Sequence, residues 1–170
     1  PWPAEPDTKV SELLKRDFVT VIKLQIKEDS LEDVKLKLNS LDHHFLLFSQ
    51  NIDELTISID GRSKSYRKTT KVITGDIHQS KTEIKICQSS QGAKDENETW
   101  IRWQRSWNSL EISKKRSSCM FCLPMKGNKC VPHKKNTNIY NFYPTEQSSD
   151  IRGFLHLSFD LTRDRKQLLM

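Results

Sequence analysis

Apolar and polar residues alternate along much of this chain, and the alternation predicts a fold built mainly from strands. Residues 17–27 set Phe18, Val19, Val21, Ile22, Leu24 and Ile26 in a β-rich, partly alternating run. Leu55-Thr56-Ile57-Ser58-Ile59 alternates cleanly and stops at Asp60-Gly61, a dipeptide suited to the positive φ angles of a tight hairpin turn. The returning strand is then 63–73, rich in Lys and Arg and turned to solvent. Residues 83–87 alternate again, 100–107 form an aromatic strand, 110–113 a weak one, and 154–161 a strand of mixed apolar character. A helical period appears where Leu31, Val34, Leu36, Leu38 and Leu41 follow Ser30, with Asp33 three residues beyond that cap. A second short helix is expected over 43–51, packing Phe45, Leu46, Leu47 and Phe48 on a sheet, and Thr8 is placed to cap another beneath Val10, Leu13 and Leu14. The remaining polar stretches predict connections: an entry turn at 1–7, an exposed loop at 88–99 and a linker at 146–150. The expected class is α+β, a mixed or antiparallel sheet with a few short helices packed on one face.

Length and composition narrow the picture. At 170 residues, with 35% hydrophobic and 29% charged side chains, the chain is long enough for a real core and too apolar for a disordered segment. No run approaches the roughly 20 apolar residues of a membrane span. Pro1-Trp2-Pro3 has neither the charged start nor the apolar centre of a signal peptide, and the missing initiator Met points to a fragment or processed product. Four Cys are too few for a disulfide scaffold, which favours a reducing cytoplasmic or nuclear setting. The net charge of +6 is unevenly spread: −5 over residues 1–60, +5 over 61–110, +6 over 111–135 and zero over 136–170. Such a basic middle suits an anionic partner, whether phosphate, nucleic acid or an acidic protein face, and equally an internal match with the acidic first part of the same chain.

Three groups of residues suggest chemistry. Cys119, Cys122, Cys130 and His133 follow a C-x2-C-x7-C-x2-H spacing, which closes a tetrahedral zinc site if the chain turns tightly between the pairs. The competing reading makes 118–125 an extended core strand. Its Cys119 and Cys122 then face opposite sides and share no metal. His43 and His44 are a second pair of candidate ligands, set against the plainer reading of exposed loop histidines. Arg102 and Arg105 interleave with Trp100, Trp103 and Trp107, a composition that stacks on single-stranded bases. However, Trp100 and Trp103 have opposite parity on a strand, which argues for packing instead. Asn97-Glu98-Thr99 is a formal glycosylation sequon that a cytoplasmic chain does not use.

The stretch 141–166, NFYPTEQSSDIRGFLHLSFDLTRDRK, resembles the segment that follows the nucleotide-binding domain in the GHKL ATPases (gyrase, heat-shock-90 chaperones, histidine kinases and MutL), above all the sacsin-like subgroup. Asn141, Phe142, Pro144 and Thr145 match its aromatic-Pro turn. His156, Phe159, Leu161, Asp164, Arg165 and Lys166 match the strand and basic end that follow. Phe18, Thr20, Ile22, Leu24 and Ile26 are similar to the strand closing the ATP domain, and Leu46-Leu47-Phe48 with Ile52 to a helix beyond it. The resemblance implies that 1–40 is the end of a nucleotide-binding domain with its connecting helix. It implies that 41–170 is an α+β transducer-like domain of a chaperone-like protein. ATP and Mg²⁺ would be held mainly by a domain upstream of this chain. Arg165 or Lys166, with Arg163 beside them, would reach the γ-phosphate, helped by the N-terminal end of a helix starting at 167–170. Homodimerisation is common in the resembled group. His156, mid-strand, reads as a core histidine. The chain lacks the Asn-bearing helix and the Asp-x-Gly-x-Gly motif of these ATPases, and lacks any phosphate-cradling Gly-rich loop. It is therefore not expected to hydrolyse ATP alone. A basic nucleic-acid-binding module and a small zinc-stabilised interaction domain are the competing functions.

Overall fold

The computed structural model describes Glu12 and residues 26–76, 78–108, 116–141 and 143–158. The chain divides into two compact units, Pro1–Asn39 and Ser40–Met170. In the first, a 3₁₀ turn (Glu28–Ser30) leads into α1 (Leu31–Asn39). Glu32 and Asp33 in its first turn and Lys37 in its last suit the helix dipole, and Lys35 bonds Glu32 at 3.1 Å. None of its side chains is buried. The apolar period that runs on to Leu41 in the sequence outlasts the helix, which ends at Asn39. The strand expected over 17–27 and the helix after Thr8 lie almost wholly outside the described residues.

The second unit is a nine-stranded mixed sheet. Its strands are β1 (Glu54–Ile59), β2 (Arg62–Gly75), β3 (Gln79–Ser90), β4 (Glu96–Asn108), β5 (Arg116–Lys126), β6 (Lys129–Cys130), β7 (Asn138–Asn141), β8 (Tyr143–Ser148) and β9 (Phe154–Leu157). They lie in the order β1-β2-β3-β4-β5-β9-β7-β8, with β6 folded back on the end of β5. Neighbours are antiparallel except β7 and β9, which run parallel. Asp60 (φ 50) and Gly61 (φ 78) make the expected β1–β2 turn. The mixed sheet matches the expected class, but the few helices on one face do not. Among the described residues α1 is the one α-helix, and it belongs to the other unit. The helix expected over 43–51 is only a 3₁₀ turn, His43–Leu47. Phe45, Leu46, Leu47 and Phe48 are four consecutive buried side chains, an arrangement met by a short tight turn enclosed on every side.

Two expected connections are strands. Most of 88–99 belongs to the long β3–β4 hairpin, where Gln88 pairs with Glu96 and Ile86 with Glu98. The linker expected at 146–150 is largely β8. Both stretches are polar because their side chains reach solvent or meet other polar groups; polarity sets the face, not the backbone conformation.

One face of the sheet is the core. Tyr66, Ile84, Ile86, Trp100, Met120, Cys122, Tyr140 and Phe154 meet the side chains of Phe45–Phe48 there. Two cations share this face at the C-terminal end of the 3₁₀ turn. Arg102 Nη1 donates to the Leu47 carbonyl at 2.9 Å, and Lys68 Nζ to the Ser49 carbonyl at 2.7 Å. These are carbonyls that a helix end leaves without intrahelical partners, and cations there also suit the local dipole. Lys68 is 3% exposed and pairs with Asp53 at 3.3 Å; burial nevertheless pulls its pKa down.

Gly153, just before β9, is held against the opposite face. A Cβ there would lie 2.6 Å from the Phe121 ring and 2.9 Å from Leu123. Gly153→Ala is expected to cost about 1–3 kcal/mol through overpacking, read as a lower urea midpoint with unchanged slope.

Candidate functional site

The densest chemistry in the second unit gathers at the N-terminal end of the 3₁₀ turn. Asp42 is its N-cap: extended backbone (φ −74, ψ 106) lets the side chain accept from the His44 N–H at 3.0 Å. The same oxygen meets His44 Nδ1 at 2.6 Å, while the Tyr140 hydroxyl from β7 donates to the other oxygen. On its far side His44 Nε2 lies 3.5 Å from Glu98 Oε2, on β4. His43 Nε2 approaches that oxygen at 3.6 Å, and Trp100 Nε1 donates to it at 3.1 Å. The rings are stacked into place: His43 lies 4.4 Å from Tyr66 and 4.2 Å from His44, and His44 lies 4.5 Å from Phe154.

This packing sets the charges. Burial alone would lower the His44 pKa, but the hydrogen bonds and charges of Asp42 and Glu98 outweigh it and raise the value to about 9. Burial pushes the Asp42 carboxyl up, yet the His44 ring and the Tyr140 hydroxyl hold it at about 2. The His43 and His44 rings hold Glu98 well below the usual carboxylate range. Burial, then the Asp42 charge, drives the Tyr140 hydroxyl far up, so it stays a donor. At neutral pH the cluster is an imidazolium between two carboxylates.

The zinc candidates do not converge in this way. Cys119 and Cys122 sit at opposite parity on the continuous strand β5. Cys122 is fully buried opposite Arg102, and burial pushes its thiol far up; burial also raises that of Cys119. Cys130 is exposed and contacts Met125 Sδ at 3.3 Å. His133 instead joins the aromatic cluster, its ring 6.4 Å from His44 and 5.0 Å from Phe154, with Nδ1 2.9 Å from the Lys135 carbonyl. Among the described residues, the donor atoms that fall within 4.8 Å of one another are those of Asp42, His43 and His44.

His156 is wholly buried beside Phe48, and burial lowers its pKa to about 4, so it is a neutral core imidazole at pH 7. Arg163, Arg165 and Lys166 lie outside the described residues. The tryptophans divide between the faces as their parity requires. Trp100 is in the core, while Trp103, Arg105 and Trp107 share the opposite face. There Trp103 stacks on Phe121 at 6.1 Å, with Lys81 Nζ 5.7 Å from its ring, beside an open cleft of about 700 Å³.

Asp42, Glu98 and Tyr140 have no counterpart among the sequence candidates. Asp42 carries a local signal, a capping residue just before two histidines. Glu98 falls in a stretch that reads as loop, and Tyr140 is brought to Asp42 by tertiary pairing across 98 positions.

Fold and site together define a strand-built unit with an Asp–His–Glu charge cluster on the core face of its sheet, and among the described residues no helix is long and apolar enough to cross a membrane. Compared with family models, curated proteins and solved structures, the chain matches none.

Proposed function

We propose that this chain is a coupling segment of a GHKL-type ATP-binding protein, in which cations following β9 sense the terminal phosphate of ATP held by an upstream domain. The observation that carries the reading is β9 itself. It is hydrogen-bonded on both sides, antiparallel to β5 and parallel to β7, with Phe154 and His156 buried in the core. A strand fixed on both edges is a rigid base for groups that must meet an anion at a set distance. Arg163, Arg165 and Lys166 follow it in the sequence. The turn that carries the resemblance is also well anchored. β7 and β8 pair antiparallel, Tyr140 with Pro144, and the buried Thr145 donates its hydroxyl to the Ile139 carbonyl at 2.8 Å.

In this reading Arg165 or Lys166 binds the γ-phosphate by a charge-assisted contact worth roughly 1.5–3 kcal/mol. Hydrolysis removes that contact and shifts the domain between two arrangements. ATP and Mg²⁺ are bound mainly by the upstream domain. The test is ATP turnover by the chain extended upstream through its nucleotide domain, with Arg165→Ala and Lys166→Ala. At least one variant is expected to slow turnover tenfold or more, about 1.4 kcal/mol, with the fold intact. Absence of ATP binding, or wild-type turnover in both variants, would remove the reading.

A further inference from the structure

The Asp42–Glu98 cluster has a use that phosphate sensing does not touch. We propose that His43, His44 and Glu98 form a binding site for a zinc-class divalent ion, with Asp42 as the residue that orients His44. One carboxylate oxygen of Glu98 approaches both rings, and Asp42, whose oxygen lies close to both histidines, holds His44 from the other side. Glu98 Oε2 lies 3.6 Å from His43 Nε2 and 3.5 Å from His44 Nε2, and the two imidazoles are stacked 4.2 Å apart. Ligands about 2.0–2.1 Å from a tetrahedral ion are separated by roughly 3.3–3.4 Å, close to both carboxylate–imidazole distances, and the ion takes the place of the proton on His44 Nε2, which is released to solvent. Two imidazoles and a carboxylate are a donor set of the zinc type, leaving a fourth position for water.

Each ligand is also held from behind, as metal sites require. His44 presents Nδ1 to Asp42 at 2.6 Å, which leaves Nε2 for the ion, and the Tyr140 hydroxyl fixes Asp42 in turn. Trp100 Nε1 orients the Glu98 carboxylate at 3.1 Å, and Tyr66 stacks on the His43 ring. The histidine side chains are 17% exposed and that of Glu98 is 43% exposed, so a hydrated ion reaches the site from solvent without opening the core. This set is distinct from Cys119, Cys122, Cys130 and His133, of which Cys119 and Cys122 lie on opposite faces of β5.

The experiment titrates the chelator-treated full chain with ZnCl₂ by calorimetry and with CoCl₂ by visible absorption. One ion per chain is expected, with a tetrahedral cobalt spectrum free of thiolate charge transfer. Glu98→Gln and His43→Gln should each weaken binding at least tenfold, while Cys130→Ser leaves it unchanged. On the wild-type protein, zinc should shift the ring-nitrogen NMR signals of both His43 and His44, a readout that stands whether or not the variants fold. The proposal is overturned by no stoichiometric binding below about 100 μM metal (weaker than about −5.5 kcal/mol), by a thiolate band, or by histidine signals that do not move.

Discussion

Phe48→Ala is expected to destabilise the Ser40–Met170 unit by about 3–5 kcal/mol, the largest loss among the single changes considered. Phe48 is wholly buried, its ring 5.2 Å from both Tyr140 and His156, at the point where the 3₁₀ turn meets β7 and β9. Removing the ring leaves a cavity between a short turn and a sheet, and the surroundings are poorly able to close it. The sheet is fixed by its ladders, and the turn is pinned at one end by the Asp42 cap and at the other by Arg102 and Lys68. If the turn lifts, both cations lose carbonyl partners at a buried site, which adds to the cost of the cavity. Urea unfolding followed by tryptophan fluorescence gives the number. A loss below about 1 kcal/mol would mean that the turn is held by its polar anchors and not by its apolar side.

How far the fold was legible depended on what each signal reports. The β1–β2 hairpin followed directly from alternation and Asp-Gly, because both act within a few residues. The helical reading of 43–51 failed because its apolar run fits a helix and a fully enclosed turn equally well; only the surrounding sheet distinguishes them. Residues 88–99 read as loop because polarity and irregular backbone look alike in a sequence, yet Glu98 sits on a strand and meets His43 and His44. The Cys spacing was visible, but parity on β5 separates Cys119 from Cys122, and that depends on knowing the strand is continuous. The cluster itself joins three distant parts of the chain, positions 42–44, 98 and 140. No local pattern encodes such a meeting, although the cap before two histidines marks one end of it. The basic end, Arg163 to Lys166, lies outside the described residues, and its reading rests on the resemblance alone.

The same cluster should give the metal-free protein a stability maximum near pH 6–7, with losses on both sides from two different histidines. His44 faces Asp42 on its own segment, Glu98 on β4, and the His43 and His133 rings, and its folded pKa is about 9 against 6.5 unfolded. A raised value means that the stabilisation is complete below pH 6.5 and disappears as pH climbs through 9. Because Asp42 and Glu98 are partly exposed, solvent screening reduces the loss to about 2 kcal/mol. His156 has the opposite sign. Its folded value of about 4, set first by burial and then by the Arg102 charge, means that stability is complete above pH 6.5 and falls as pH drops towards 4. Asp42, held at about 2, adds its own loss only below about pH 3.8. Urea midpoints measured across pH 4–10 in chelator should therefore fall on each side of the maximum. Asp42→Asn should flatten most of the alkaline slope and leave the acid slope intact, because it removes the stronger partner of His44 without touching His156. A wild-type midpoint that stays level or rises between pH 6.5 and 9 would show that His44 is not held as an imidazolium. The hydrogen bonds of the cluster would then be those of a neutral ring.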